Sequence, residues 1–225
     1  MVLPIVTYKT QHTHRNKMDR ERWGMLDVFV RKVCADRDES HGYEHMKTVA
    51  ETTRAIVQQD FLDTDEELMI DAITVAWLHD IADPKYDKDG KLSEMLVEWG
   101  TPRIENFHLV LKTIHLVSFR TENKAILAGT PLNYEDLLGK HFATVRQIVS
   151  DADKLEAIGK IGVDRCLQYT IHANPGHTEE QIIAAVKKHA EEKLKRLADE
   201  FIRTPTGKKI ASLKHSELLQ ALADL

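Results

Sequence analysis

One segment in the first half of the chain is apolar on nearly all sides. It reads DEELMIDAITVAWLHD at positions 65–80 and is followed by Pro84. A helix that is apolar all round must be covered by other elements, and the acids at its start suit a helix N-terminus. Proline cannot continue a helix, so this one has to end before Pro84. The sequence therefore predicts a central, buried helix against which the rest of the chain packs.

The other long segments repeat apolar residues at helical spacing, and glycine (10) and proline (6) are sparse. Leu, Ala, Glu and Lys, which favour helix, dominate these segments, so we predict an all-α protein. Helices are predicted at 18–37, 43–59, 65–80, 92–99, 102–118 and 178–203, with one helix, or two interrupted at Gly139, over 134–157 and another after Gly162.

The domain organisation follows from length and linker composition. With 225 residues, of which 42% are hydrophobic, the chain can bury one substantial core, and no linker indicates a second domain. We predict an extended N-terminal arm over residues 1–18, a single helical domain over residues 19–203, and a helical tail over residues 204–225 that packs on the same domain.

Charge, cysteine content and hydropathy predict the partners and the cellular compartment of the protein. The formal net charge of −5 gives no basic field, so we expect no nucleic-acid partner. Cys34 and Cys166 are too few for a disulfide framework, which is typical of a reducing compartment. No run approaches the roughly 18 apolar residues of a membrane helix, and the start lacks a signal-peptide pattern. We predict a soluble, unprocessed cytoplasmic protein, monomeric or homodimeric, with no membrane partner.

The pair His79-Asp80 at the end of the buried segment is the first indication of chemistry. Adjacent side chains on a helix diverge by about 100°, so these two can approach one point only at a helix end. An imidazole and a carboxylate suit a divalent cation such as Mn²⁺, Fe²⁺, Co²⁺, Ni²⁺, Zn²⁺ or Mg²⁺. Two ligands hold a catalytic ion poorly, so the hypothesis also requires His45 and an aspartate of SDADKLEAIG, residues 150–159.

The order of these residues resembles the HD domain, whose members are mostly metal-dependent phosphohydrolases. The resemblance spans roughly residues 20–220. Five segments follow in the order seen in the small bacterial-type HD hydrolases, a group that includes nucleotide pyrophosphohydrolases: HGYEHMKTVA, WLHDIADPKY, TIHLVSFR, DADKLEAIGKIGVDR and FIRTPTGKKIA. The resemblance implies that the helical domain is a single HD-domain bundle.

The resemblance also implies the metal ligands. Matched residue by residue, the ligands of one divalent cation are His45, His79, Asp80 and Asp153. Asp153 is preferred because the last ligand of the family is followed by a short stretch that ends in an acid and an alanine. Asp151 is the alternative, but on a helix it lies about 200° away from Asp153, so both cannot face one ion.

The function implied by the resemblance is hydrolysis of a small phosphorylated substrate, with a nucleotide as the first candidate, by attack of a metal-bound water on phosphorus. Asp83 is placed to orient the water or to protonate the leaving group, although it could instead cap the turn before Pro84. Lys85 could neutralise phosphate charge. Arg120 and Lys154 are predicted to contact substrate from other helices, while Lys85 and Arg120 could also be solvated surface charges.

Two other functions stay open at this point. A di-iron HD-type oxygenase would need further ligands, for which His108 and His115 are the candidates because they lie seven residues apart on one helix face. A non-catalytic ligand-binding HD module would keep the pocket without the chemistry. The sequence departs from the family at His41-Gly42, where members often have His-Asp, and at Thr48, where they often have an arginine.

Overall fold

The computed structural model describes the backbone of residues 8–37, 42–61 and 66–225, and the side chains in those ranges from Glu21 onwards. No strand occurs in these ranges, and the prediction of an all-α protein is confirmed. The helices are α1 Tyr8–Val33, α2 Tyr43–Asp60, α3 Glu66–Leu78, α4 Lys91–Gly100, α5 Phe107–Val117, α6 Phe119–Leu127, α7 Tyr134–Glu156, α8 Lys160–Ala173, α9 Glu179–His189 and α10 Pro205–Ala223.

The helix α3 is the central element, as its apolar sequence predicted. Every residue from Ala72 to Leu78 is buried. It packs against α1, α2, α5 and α7. The helix ends at Leu78, so His79 and Asp80 occupy the turn that follows it. This is the helix end at which adjacent side chains can approach the same point.

Two hydrophobic clusters hold the bundle together. The larger one is built around α1, α2, α3, α5 and α7. The smaller one lies between α8, α9 and α10 and includes Val163, Val186 and Leu218. The last helix joins both clusters, because Ala211 belongs to the larger one and Leu218 to the smaller one. Residues 205–223 are therefore packed on the rest of the described chain along the whole helix.

Helix boundaries differ from prediction at the start of the chain. The helix α1 begins at Tyr8, so residues 8–18 are helical and not extended, while residues 1–7 lie outside the described part. The prediction relied on apolar periodicity, which residues 8–18 lack. The segment contains no glycine or proline. A helix that has already formed from Met18 onwards therefore gains one hydrogen bond for each residue by which it extends toward the N-terminus.

The middle of the chain holds a helix that the sequence did not predict, α6. It is separated from α5 by Ser118, whose hydroxyl accepts a hydrogen bond from the backbone N–H of Arg120. The helix α5 begins at Phe107, later than predicted, because Asn106 has left-handed backbone angles. The interruption of α7 is at Gly139, with φ 73°, which confirms the two-helix alternative.

The predicted helix over residues 178–203 is only partly regular. Thr178 caps α9 in a reciprocal arrangement with Gln181, and two π-helical turns follow at Ala190–Leu194 and Leu197–Phe201. None of the helices in the described ranges combines the length and apolar character that spanning a bilayer requires.

Candidate metal centre

The four side chains predicted as ligands come together where α2, α3 and α7 meet. His45 lies in the first turn of α2, and Asp153 lies near the end of α7. His45 Nε2 is 3.2 Å from His79 Nε2, 3.5 Å from Asp80 Oδ2 and 3.6 Å from Asp153 Oδ1. His79 Nε2 is 3.6 Å from Asp80 Oδ2 and 3.8 Å from Asp153 Oδ1. Three distant parts of the chain therefore supply one cluster of donor atoms, the HD centre.

The spacing of the donor atoms of His45, His79 and Asp153 fits one divalent cation, because one atom from each lies within 4.8 Å of the other two. Metal–ligand bonds of about 2.0–2.2 Å place adjacent donors about 3.0–3.5 Å apart around a single ion. The observed separations of 3.2–3.8 Å lie at or slightly above that range. Two imidazole nitrogens with two carboxylates favour a transition ion over Mg²⁺, which prefers oxygen ligands. These residues could therefore bind a divalent cation.

Hydrogen bonds orient both imidazoles toward the centre. His79 Nδ1 donates to the carbonyl oxygen of Ala76, 2.7 Å away. His45 Nδ1 donates to the carboxylate of Glu156. A neutral imidazole that donates through Nδ1 carries its lone pair on Nε2. Once Nε2 has lost its proton, both imidazoles are therefore oriented to bind an ion at the HD centre.

Glu156 contacts the candidate centre, and sequence reasoning did not identify it. Its second carboxylate oxygen accepts a hydrogen bond of 3.1 Å from Arg165 Nη2 on α8. The chain of contacts from Arg165 through Glu156 to His45 therefore links α8, α7 and α2. Carboxylates that hold a ligand histidine in this way fix the ring and raise its basicity. The spacing of three residues from Asp153 was an available signal, because such residues share a helix face.

Arg37 is a second residue that sequence reasoning missed. It follows α1, and its guanidinium donates to the carbonyl oxygens of Asp80 (2.7 Å) and Ile81 (2.5 Å). These bonds hold the backbone of the turn that presents His79 and Asp80. Nothing in the sequence pattern marks this arginine, because its partners are backbone atoms more than forty positions away.

The electrostatics of the HD centre favour positive charge. Burial opposes protonation of His45, but Asp80, Glu156 and Asp153 outweigh it and raise its pKa to about 10. For His79 burial is likewise outweighed, and Asp80 and Asp153 raise its pKa. The imidazoles in turn hold the pKa of Asp80 and of Asp153 below the usual range, although partial burial opposes ionisation of both carboxyls. A cation at this point meets the same carboxylates that stabilise the imidazolium forms.

Asp151, the alternative ligand, is engaged elsewhere. It is fully buried, and its Oδ2 accepts hydrogen bonds from the backbone N–H groups of Arg203 (2.9 Å) and Thr204 (2.6 Å). Its Oδ1 accepts from Gln147 Nε2 at 2.7 Å. Asp151 therefore fastens the segment that leads into α10, and the structure brings Asp153 to the HD centre in its place.

Lys154 does not join the HD centre. Its side chain is 1% exposed, and the ammonium group contacts Ser150 Oγ and lies 3.3 Å from Glu122 Oε2. The same glutamate is 2.8 Å from Arg146 Nη2 and 2.8 Å from Arg203 Nη2. We call these four charged residues, Glu122, Arg146, Lys154 and Arg203, the Glu122 cluster. The predicted substrate contact of Lys154 is replaced by a buried ion pair, because its ammonium is turned toward Glu122.

The remaining predicted site residues are partly exposed (Asp83) or exposed (Lys85 and Arg120). Asp83 Oδ1 accepts a hydrogen bond of 2.7 Å from the backbone N–H of Lys85, which is the turn-capping role considered above. The Lys85 side chain is exposed, with Nζ 5.2 Å from the centroid of the Tyr86 ring. Arg120 is exposed in the first turn of α6. The proposed catalytic and substrate-binding roles of these residues stay predictions.

The histidines considered for a second iron are on the surface of α5. Both His108 and His115 are exposed. Among the described residues, the group of mutually close donors around His79 contains neither of them. Of the departures from the family pattern, His41 lies outside the described residues, Gly42 precedes α2 and Thr48 is exposed on that helix.

Comparisons with known proteins extend over nearly the whole chain. The sequence is 30% identical over 206 residues to the uncharacterized protein YpgQ of Bacillus subtilis (strain 168), covering 89% of this chain and 90% of YpgQ. The crystal structure of YpgQ in complex with ADP superimposes with a TM-score of 0.64 and 21% identity, covering 92% of this chain and 94% of YpgQ. An HD-superfamily hydrolase from Bacillus thuringiensis superimposes with a TM-score of 0.60 and 21% identity, covering 92% and 95% of the two chains. No family model matches the sequence.

Proposed function

Because this chain belongs to the HD superfamily, in the family that includes YpgQ, we propose that it is a metal-dependent phosphohydrolase acting on a small phosphorylated substrate. The observation that carries the proposal is the convergence of His45, His79 and Asp153 at separations that suit one cation, with Asp80 Oδ2 within 3.6 Å of both imidazoles. A nucleotide is the first candidate substrate, and the ADP bound in the crystal structure of YpgQ supports this choice.

Hydrogen bonds hold the two imidazoles in the orientation that a cation would require. His45 and His79 present Nε2 because the Nδ1 groups are held by Glu156 and by the carbonyl of Ala76. When bound, a divalent cation supplies a Lewis acid for a phosphoryl oxygen and lowers the pKa of a coordinated water. A preorganised pair of imidazoles spends no free energy on reorientation when the ion arrives.

The open side of the HD centre is the side of the carboxylates. The side chains of His45 and His79 are 6% and 2% exposed, whereas those of Asp80 and Asp153 are 23% and 27% exposed. The histidines therefore form the floor of the centre, and substrate approaches past the two aspartates. The turn from Asp83 to Lys85 leaves the centre directly after Asp80, so it is the first element from which further substrate contacts are expected.

The proposal is tested by hydrolysis of a panel of nucleoside mono-, di- and triphosphates with Mn²⁺, Co²⁺, Ni²⁺ or Mg²⁺ added to metal-free protein. We expect release of phosphate or pyrophosphate from at least one member, and entry of ¹⁸O from labelled water into a phosphoryl product. Asp80→Asn should abolish turnover, while Asp89→Asn, at an exposed acid paired with Lys91, should leave it unchanged.

Two results would contradict the proposal. If protein that carries one equivalent of cation hydrolyses no member of the panel, the HD centre is not a phosphohydrolase centre for nucleotides. If the protein binds a nucleotide in the presence of cation and releases no product, it is a ligand-binding HD module.

A further inference from the structure

A second group of metal-ligand side chains lies on the same two helices as the HD centre. His141 Nε2 on α7 is 2.9 Å from Asp71 Oδ2 on α3. With Glu67, also on α3, these residues each offer one donor atom, and the three atoms lie within 4.8 Å of one another. We propose that Glu67, Asp71 and His141 form a second divalent-cation site that joins α3 to α7 and takes a transition ion such as Zn²⁺.

This group is separate from the HD centre. Asp71 precedes His79 by eight residues and His141 precedes Asp153 by twelve, which corresponds to about 12 Å along α3 and about 18 Å along α7. The second group therefore lies at the opposite end of the α3–α7 pair. The two sites share helices but no ligand.

The arrangement of the donors follows from helical geometry. Glu67 and Asp71 are four residues apart, so their carboxylates lie on the same face of α3 one turn apart. His141 follows the break at Gly139, where φ is 73°, and its imidazole reaches across to Asp71. One imidazole and two carboxylates from two elements form a set that suits Zn²⁺, Mn²⁺ or Co²⁺, with water completing the shell.

The charges around the group also favour a cation. The Asp71 side chain is only 13% exposed and the His141 side chain 33%. Burial raises the pKa of the Asp71 carboxyl, and the nearby charge of Glu67 adds to this effect, while His141 and Arg22 oppose it. The group thus contains two carboxylates on α3 that lie close together, and a single imidazole on α7 that reaches them. A divalent ion at this point would relieve the repulsion between them.

Occupation of this site would connect the two helices that supply most of the HD centre. The far ends of α3 and α7 lead to His79, Asp80 and Asp153. An ion that binds only the folded protein raises the free energy of unfolding, and the rise grows with the logarithm of the free ion concentration once this exceeds the Kd. The inference does not depend on the proposed phosphohydrolase activity.

The test is the number of Zn²⁺ ions bound by the full chain. Metal-free protein is titrated with Zn²⁺, passed over a desalting column and measured by elemental analysis for ions per chain. We expect two ions in the unaltered protein, one in Asp80→Ala, one in His141→Ala and none in the double variant. His108→Ala, which removes an exposed histidine of α5, is the matched control and should retain two.

Asp71→Asn is the second variant, because it keeps the size of the side chain if His141→Ala does not fold. In the Asp80→Ala background, Zn²⁺ should raise the thermal midpoint, and adding His141→Ala or Asp71→Asn should remove that rise. The second site is overturned if His141→Ala and Asp71→Asn each bind as many Zn²⁺ ions as the unaltered protein. It is also overturned if Asp80→Ala binds no Zn²⁺. Failure of Asp80→Ala to lose an ion would instead overturn the HD centre, so the two failures are distinguishable.

Discussion

Asp153 and Lys154 are neighbours on α7, yet their side chains enter clusters with opposite composition. Asp153 joins the HD centre, where two carboxylates of the centre and the supporting Glu156 surround two imidazoles. Lys154 joins the Glu122 cluster, where three cationic side chains surround one carboxylate. The two faces of α7 therefore contribute to clusters of opposite charge balance. The HD centre can accept a cation, whereas the Glu122 cluster already satisfies its own acid.

Burial separates the two clusters further. The carboxylates of the HD centre are partly exposed, whereas Glu122 is 3% exposed and Arg146 is fully buried. Burial opposes ionisation of Glu122, but Lys154 and Arg146 outweigh it and hold the pKa of the carboxyl below its usual value of 4.5. Arg146 also donates to the carbonyl of Leu116 and stacks 3.9 Å from the centroid of the Tyr134 ring. The Glu122 cluster therefore fastens α6, α7 and the segment before α10 together.

The largest effect is expected from Glu122→Gln. Removal of the single acid leaves three buried or half-buried cations without their counter-charge, and breaking a buried ion pair costs about 3–5 kcal/mol. The free energy of unfolding, measured by urea titration, should fall by this amount. The cation affinity of the folded protein should stay unchanged. A loss of affinity as large as that of an HD-centre variant would show that the Glu122 cluster also contributes to cation binding.

The next effect concerns Asp153→Asn, which keeps the shape of the side chain and removes its charge. Loss of a residue that only supports a ligand typically costs 10–100-fold in metal affinity, so loss of a direct ligand should cost at least about 100-fold. Competition with a chromophoric chelator measures the affinity. The free energy of unfolding without metal should also fall near neutral pH, because the imidazoles that lower the pKa of Asp153 stabilise its charged form in the folded protein. Asp164→Asn, at an exposed acid of α8, is the control.

A smaller effect on cation binding is expected from Glu156→Gln. The amide can no longer accept the hydrogen bond of His45 Nδ1 as a charged carboxylate, so the imidazole becomes less basic and less firmly oriented. Cation affinity should fall about 10–100-fold. Arg165→Met should produce a smaller loss in the same direction, because Arg165 acts on His45 only through Glu156. If Glu156→Gln and the unaltered protein have equal cation affinity, Glu156 does not support cation binding at the HD centre.

The smallest effect is a difference in acid stability. Because the pKa of Glu122 is lowered on folding, the unfolded chain binds more protons here, and stability rises with pH across this window. The contribution of Glu122 is present above the usual carboxyl pKa and is lost as the pH falls through the lowered value. Urea unfolding at about pH 5 and about pH 3 should therefore show a smaller loss of stability in Glu122→Gln than in the unaltered protein. Equal losses in both would show that folding does not lower the pKa of Glu122.

Much of the fold was predictable because helix formation depends on local pattern. The segment 65–80 is apolar all round, and the structure places α3 at the centre for that reason. The break at Gly139 was visible because only glycine adopts its left-handed backbone angles freely. The helix α6 was missed because its start depends on one hydrogen bond from the backbone N–H of Arg120 to the Ser118 hydroxyl. The π-helical turns after α9 lack a sequence signal of comparable strength.

The candidate ligands were identified by resemblance, and their supporting residues were not. His45, His79, Asp80 and Asp153 stand in an order that the HD domain shares, so family comparison could propose them. Arg37 acts through backbone carbonyls, and this use of an arginine leaves no pattern in the sequence. Glu156 was seen only as an acid that follows Asp153.

The sequence by itself determined which residues of α7 share a face, because helical periodicity depends only on spacing along the chain. It separated Asp151 from Asp153 for that reason. Only the tertiary structure decided what each face meets: His45 and His79 on one side, Glu122 on another, and the segment before α10 at Asp151. The rotation of α7 about its axis is set by packing against α2, α3 and α5, and those contacts join residues far apart in the sequence.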